Sequence, residues 1–159
     1  MIDQLKSFFY KLFGRSVQQR LQRVLRGKTM GVRVAAFDAQ GRVMLVKHSY
    51  TPGWSLPGGG VENGEMLLAA AIREIYEEAG IVADEALLLH GVFSNEPIFP
   101  GDFVCCYVLR RCHRDGWKPN FEINDAQFFE VEKLPVDITA GSKRRLDEIL
   151  NGTPISELW

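Results

Sequence analysis

The sequence predicts one α/β domain that follows a helical N-terminal extension. Two apolar segments, residues 29–37 and 42–48, flank the turn sequence DAQG, and this arrangement predicts a β-hairpin. Residues 66–79 are predicted to form a long helix, because apolar side chains recur there at helical spacing and Gly80 follows as a stop. With 159 residues, 46% of them apolar and 25% charged, the chain has the size and composition of a single globular domain.

Residues 1–28 are predicted to form a basic amphipathic helical extension. Lysine and arginine far outnumber the one acidic residue, Asp3, and apolar residues recur in two stripes at helical spacing. Such a helix either contacts a membrane surface or docks a partner, or it packs against the domain or against a second copy of the chain in a homodimer. Packing is the favoured interpretation. No nucleic-acid-binding motif accompanies the basic residues, so nucleic acid is not an expected partner.

The second half of the chain is predicted to contain three further strands and a closing helix. Apolar runs predict strands at residues 85–94, 103–111 and 126–131. Residues 142–150 are predicted to form the closing helix. Three loops connect these elements to one another or to the hairpin, at residues 50–57, 95–102 and 114–124. Because loops on a rigid scaffold often carry binding residues, we expect substrate specificity to reside in these segments.

The cysteines indicate a protein of a reducing compartment, and the histidines do not indicate a metal site. The three cysteines, Cys105, Cys106 and Cys112, show no zinc spacing, so we expect buried free thiols and a cytoplasmic location. A signal-peptide apolar region is absent from the sequence, and so is any apolar run of about 18 residues. The three histidines show no ligand spacing, and we expect each to be structural or exposed.

Three carboxylates cluster on the long helix. Glu74, Glu77 and Glu78 lie three and four residues apart, so they share one face of the helix. Like charges at this spacing destabilise a helix, and a bound cation would offset the repulsion. Oxygen ligands suit Mg²⁺ or Mn²⁺. On the charges alone, an ordinary solvated acidic face remains an equal alternative.

The wider spacing around these carboxylates resembles the Nudix box. The pattern begins at a glycine, reaches a glutamate after five residues and an Arg-Glu pair after seven more, and its nine constrained positions all match: Gly59, Glu65, Arg73, Glu74, Ile75, Glu77, Glu78, Gly80 and Ile81. On this resemblance the chain is identified as a member of the Nudix hydrolase family. The resemblance implies an α/β/α sandwich with a mixed sheet over residues 29–159.

The resemblance also implies roles for the box residues. Glu74, Glu77 and Glu78 are expected to hold Mg²⁺ (or Mn²⁺), with the backbone carbonyl of Gly59 as a further ligand. Arg73 is expected to orient the catalytic loop and the glutamates. The general base would be Glu77 of the box or Glu122. Glu122 is a candidate because a glutamate often precedes the last strand in this family. Glu65 is expected to support the loop rather than to bind metal.

Four residues outside the carboxylate cluster are candidate substrate contacts. Gly58 and Gly60 flank the first box glycine and would let the backbone approach metal and phosphate closely. Trp54 and Phe99 are candidates for stacking on a base. For each aromatic residue the alternative is packing: Trp54 against its own loop, and Phe99 as a cap on the core.

The expected reaction is metal-dependent hydrolysis of a diphosphate linkage. The leading substrate is a nucleoside diphosphate derivative, such as ADP-ribose or an NDP-sugar. A nucleoside triphosphate pyrophosphatase with a housecleaning role is the alternative, and a small prenyl or sugar diphosphate stays open. A catalytically silent module that binds a nucleotide or a protein is the hypothesis from another class, and the intact box argues against it.

Overall fold

The structure, a computed structural model, describes residues 27–159. The N-terminal extension predicted for residues 1–28 therefore lies, except for its last two residues, outside the described part of the chain. Within residues 27–159, no helix is both long and apolar enough to cross a membrane.

The predicted hairpin is present at the start of the described chain. Strand β1 spans Thr29–Asp38 and strand β2 spans Val43–His48, and they pair antiparallel. The carboxylate of Asp38 closes the turn, because it accepts hydrogen bonds from the backbone N–H groups of Gln40 and Arg42 at 3.0 and 2.9 Å. Gly41 has a φ of 75°, a conformation that favours glycine.

Residues 27–159 build a mixed sheet around β1. The other strands are β3 (Trp54–Ser55), β4 (Ile81–Ala83), β5 (Leu88–Ser94), β6 (Asp102–Arg114) and β7 (Ile123–Phe129). The order is β3-β2-β1-β6-β4, with β5 also paired to β6 and β7 also paired to β2. The central pair β1 and β6 is parallel, and the other pairs are antiparallel.

Two helices cover the two faces of the sheet. Helix α1 spans Leu67–Ala79 and contributes alanines and Ile75 to one apolar cluster, while helix α2 spans Ala140–Asn151 and contributes Leu146 to the other. Successive strand residues alternate between these clusters, as the two-residue period of a strand requires. Cys105 and Cys106, for example, are neighbours on β6 but lie in different clusters. The structure confirms the predicted α/β/α sandwich with a mixed sheet.

Several element boundaries differ from the sequence prediction. The predicted loop at residues 50–57 contains the short strand β3, and β4 was not predicted. Strand β6 continues past residue 111 to Arg114 because its end pairs with β4, where Ile81 lies opposite Arg114. Strand β7 begins at Ile123, three residues earlier than predicted, because it pairs with the end of β2. A strand as short as β3 or β4 has too few residues to show a periodicity.

Candidate active site

The loop before α1 is held by a network of ion pairs centred on Arg73. The guanidinium donates to both carboxylate oxygens of Glu65 at 2.8 and 2.9 Å, to Glu74 at 2.8 Å and to Glu77 at 3.2 Å. It also donates to the backbone carbonyl of Gly60 at 3.2 Å. The hydrogen bonds from Arg73 hold the pKa of Glu65 at about 2, and the bonds to Glu65 raise the pKa of Arg73. Arg73 thus links the loop to the box glutamates, and its orienting role in catalysis stays a prediction.

Glu74 lies directly against the glycine that begins the box. A Cβ atom added at Gly59 would come within 2.6 Å of the Glu74 carboxylate, so a side chain at this position would displace it. Burial raises the pKa of Glu74, although its bond to Arg73 partly opposes this effect. The absence of a side chain at Gly59 thus leaves room for the Glu74 carboxylate beside the backbone.

Glu77 and Glu78 have opposite environments although they are adjacent in sequence. The Glu77 side chain is 59% exposed, and it contacts Arg73. Glu78 is buried, and its Oε2 accepts a hydrogen bond from the backbone N–H of Gly58 at 2.7 Å. Burial raises the pKa of Glu78 to about 8, because desolvation disfavours the charged form. A bound cation would stabilise this buried carboxylate.

Two further side chains meet Glu78 from the paired strands. His48 ends β2, Glu122 precedes β7, and the pairing of these strands sets His48 opposite Ile123. The ligand-forming atoms of His48, Glu78 and Glu122 all lie within 4.8 Å of one another. Glu122 also accepts a hydrogen bond from the Tyr50 hydroxyl at 2.9 Å. His48 is buried beside these glutamates, a position that its sequence spacing did not indicate.

The residues of this cluster fit a divalent cation. Two carboxylates and an imidazole are common ligands of divalent metals. Burial raises the pKa of Glu78 more than the charge of Arg33 and the N–H of Gly58 lower it, so a bound cation would add stabilisation. The Gly59 carbonyl accepts a hydrogen bond from the N–H of Val32 at 2.9 Å. A carbonyl has a second lone pair, so its role as a metal ligand stays a prediction.

A cavity of about 390 Å³ adjoins the same glycine turn. Its lining includes Gly59 and Gly60 of the turn, Phe99 of the loop before β6, and Trp159. Asp102 also lines it, and its carboxylate is held by hydrogen bonds from Thr29 and Asn95. The sequence indicated Phe99 and Gly60, and Asp102 lies in the loop of residues 95–102 that was expected to carry specificity, but nothing in the sequence indicated Trp159.

The structure places Trp54 and Gly58 differently from the cavity residues. Trp54 is buried in the cluster beneath α2, with its ring edge-on to Phe129 at a centroid distance of 4.9 Å. In the described chain, the lining of this cavity does not include Trp54, and the ring packs in the core rather than against its own loop. Gly58 lies behind the turn, where an added Cβ would meet the Val32 carbonyl oxygen at 2.1 Å. Its contribution is the N–H that binds Glu78.

Comparisons with known proteins agree with the box and the fold. Residues 27–149 match the family model of the Nudix domain. A Bacillus subtilis (strain 168) protein named "Putative 8-oxo-dGTP diphosphatase" is 44% identical over 127 residues, covering 78% of this chain and 81% of that protein. An ADP-ribose pyrophosphatase of Methanocaldococcus jannaschii is 29% identical over 141 residues, covering 82% of this chain and 83% of its own.

A solved structure supports the same assignment. The crystal structure of a Nudix hydrolase from Nitrosomonas europaea superposes with a TM-score of 0.64 at 25% identity, covering 82% of this chain and 77% of that chain. The family model spans most of the sequence, and the Bacillus subtilis relative is similar over most of both chains. The chain therefore belongs to the Nudix family of pyrophosphohydrolases.

Proposed function

We propose that this protein hydrolyses a phosphoanhydride bond within the diphosphate group of a nucleotide, with a divalent cation held by the box carboxylates. One observation carries the proposal. Gly58 and Gly59 of the turn at residues 58–60 contact Glu78 and Glu74, respectively, and Gly59 and Gly60 line the 390 Å³ cavity. A nucleotide seated in that cavity would extend its phosphates along this turn towards the carboxylates.

The chain's own residues would perform three tasks. Glu78 and Glu122, with Glu74 nearby, would hold the cation, which neutralises phosphate charge and lowers the pKa of a bound water. Arg73 would hold Glu65 and Glu74 in place through its hydrogen bonds. Glu122 accepts a hydrogen bond from the Tyr50 hydroxyl, and it would take the proton of the attacking water at the carboxylate oxygen that does not hold the cation. Its place beside Glu78 favours it over Glu77, which faces solvent.

The leading substrate class is a nucleoside diphosphate derivative such as ADP-ribose or an NDP-sugar. The size of the cavity and its aromatic lining suit a nucleoside, and the similarity to an ADP-ribose pyrophosphatase supports this class. The products would be a nucleoside monophosphate and a phosphorylated sugar.

A nucleoside triphosphate is the second candidate substrate. The observation in its favour is the 44% identity to the Bacillus subtilis relative, which exceeds the identity to the ADP-ribose pyrophosphatase. Hydrolysis of a triphosphate would give a nucleoside monophosphate and pyrophosphate. The products therefore distinguish the two classes directly.

A substrate screen with a matched variant tests the proposal. The protein would be incubated with Mg²⁺ or Mn²⁺ and with nucleoside triphosphates, an oxidised guanine triphosphate, ADP-ribose or NDP-sugars, and products would be separated by anion exchange. We expect metal-dependent release of a nucleoside monophosphate that Glu78→Gln abolishes and Glu132→Gln, at an exposed position, leaves intact. The absence of turnover with any nucleotide would contradict the proposal and favour the binding module.

Phe99 offers a test of the cavity as the nucleoside site. Because base–aromatic stacking contributes about 1–3 kcal/mol, Phe99→Ala should raise KM by about 5- to 150-fold and change kcat little. Ile98→Ala is the control, since Ile98 is an exposed neighbour on the same loop. Equal KM values for the two variants would place the base elsewhere.

A further inference from the structure

The buried histidine beside Glu78 has a position that the Nudix box does not account for. His48 Nε2 lies 3.8 Å from Glu78 Oε1, and the side chains of both residues are almost completely buried. A separation of 3.8 Å is too long for a hydrogen bond between these atoms. The same distance lies within reach of an ion pair when the imidazole is protonated.

The separation fits two atoms that bind the same ion. Nitrogen and oxygen ligands lie at about 2.0–2.2 Å from a small divalent metal, so two ligand atoms of one ion lie at most about 4.4 Å apart. The 3.8 Å between His48 and Glu78 falls inside this limit. The third member, Glu122, lies within 4.8 Å of both and is only partly buried, so a shift of a few tenths of an ångström completes the set.

The three side chains of this cluster come from separate elements of the fold. His48 comes from the end of β2, Glu78 from α1, and Glu122 from the residue before β7. The β2–β7 pairing sets the distance between the strand residues, and the Ser49 N–H bond to the Glu122 carbonyl at 2.8 Å reinforces it. The rings of His48 and Tyr50 contact each other at a centroid distance of 5.1 Å, and Tyr50 binds Glu122. The cluster is thus held from several sides.

A nitrogen ligand changes which metal the site prefers. Mg²⁺ takes oxygen ligands almost exclusively, whereas imidazole is a common ligand of first-row transition metals. We propose that His48 Nε2 is a direct metal ligand, so that the site with Glu78 and Glu122 binds a transition-metal dication in preference to Mg²⁺. This inference rests on the proposed metal-dependent hydrolysis and specifies the ion.

Pulsed electron paramagnetic resonance with Mn²⁺ tests the inference on the wild-type protein. Imidazole coordination would give nitrogen hyperfine coupling in the Mn²⁺ signal, and the coupling would change its pattern when histidine is labelled with ¹⁵N. His48→Gln replaces the nitrogen donor by an amide oxygen and should remove the coupling. His113→Gln is the matched control, because His113 is an exposed histidine that contacts Asp84. It should leave the signal unchanged.

Calorimetric titration gives a second measurement that does not depend on activity. His48→Gln should weaken Mn²⁺ binding by roughly 10–100-fold and should change Mg²⁺ binding by less than about threefold. Circular dichroism would verify that the His48→Gln variant folds. If the variant does not fold, the presence or absence of nitrogen coupling in the wild-type Mn²⁺ spectrum still tests the inference.

The possible results separate this inference from the proposed function. Nitrogen coupling that is present in the wild type and lost in His48→Gln supports it. Bound Mn²⁺ without nitrogen coupling, or coupling that persists in His48→Gln, overturns the assignment of His48 and leaves the hydrolase proposal intact. Failure of the wild type to bind Mn²⁺ at millimolar concentration overturns both.

Discussion

The two ends of the box use the same residue type in opposite electrostatic environments. At one end, Arg73 donates close hydrogen bonds to both carboxylate oxygens of Glu65, and the pKa of Glu65 is lowered to about 2. At the other end, Glu78 is buried beside His48 and Glu122, and its pKa is raised to about 8. The hydrogen bonds of Arg73 stabilise the folded loop, whereas burial of the Glu78 charge costs free energy that a bound cation would offset. Glutamates of the same box thus differ in how far neighbouring groups offset the cost of burying their charge.

The largest expected effect comes from neutralising Glu78. Glu78→Gln should lower kcat by on the order of 10²–10³-fold, since it removes charge from the cation site. The same change should raise the stability of the metal-free protein at pH 8–9, because a neutral amide replaces a buried carboxylate. Steady-state kinetics and urea denaturation in EDTA would measure the two effects. Loss of stability together with activity would instead identify Glu78 as a structural residue.

Arg73 should behave differently, because its removal affects both stability and turnover. Arg73→Lys cannot reproduce the paired bonds to Glu65, so kcat should fall by roughly 10–100-fold and the melting temperature should decrease. Arg111→Lys, at an exposed position, is the matched control for the loss of a guanidinium. An Arg73→Lys variant within twofold of wild-type kcat would refute the orienting role.

The pH dependence of stability should distinguish the two ends directly. For Glu78 the folded pKa of about 8 exceeds the ordinary value of 4.5, so the metal-free folded protein retains a proton that the unfolded chain releases between these values. Stability should therefore fall as pH rises from about 5 to 8, by at most about 1.4 kcal/mol per pH unit. For Glu65 the folded pKa of about 2 lies below 4.5, so its contribution is lost as pH falls from about 4.5 towards 2.

Urea denaturation in EDTA across this range provides the measurement. Relative to wild type, Glu78→Gln should flatten the slope between pH 5 and 8 and should leave the acid limb unchanged. Identical slopes for both proteins between pH 5 and 8 would show that Glu78 does not titrate there.

The smallest expected effect belongs to Tyr50. Tyr50→Phe keeps the ring beside His48 and removes the hydroxyl that donates to Glu122. One such hydrogen bond contributes about 0.5–1.5 kcal/mol, so kcat should fall about two- to tenfold with little change in KM. A larger loss, equal to that of Glu122→Gln, would mean that the hydroxyl itself takes part in the reaction.

The sequence predicted the elements that carry long-range patterns. The box register located α1, which spans Leu67–Ala79 against the predicted residues 66–79, and the hairpin pattern located β1 and β2. Helical spacing also brought the box glutamates onto one helix. The short strand β4 was not predicted, because it is defined only by its pairing with β6.

The partners of Glu78 could not be predicted in the same way. His48 precedes Glu78 by thirty positions, and no local spacing links them. Their proximity arises from the pairing of β2 with β7 and the packing of α1 on the sheet. The pattern around Trp54 was equally uninformative, since an aromatic residue before a glycine-rich turn fits stacking on a base or packing in the core. Only the tertiary contacts of the folded chain show which side chains meet Glu78 and whether Trp54 packs in the core.

Cys105 and Cys106 are adjacent on β6 but lie on opposite faces of the sheet, so the reactivity of each thiol reports on one layer of the fold. Burial raises the pKa of the Cys106 thiol to about 12 and also raises that of Cys105, so the reactive thiolates are scarce near neutral pH. Cys106 belongs to the layer beneath α2, whereas Cys105 and Cys112 belong to the layer beneath α1. Labelling rates of single-cysteine variants would therefore record how often each layer opens, independently of the other.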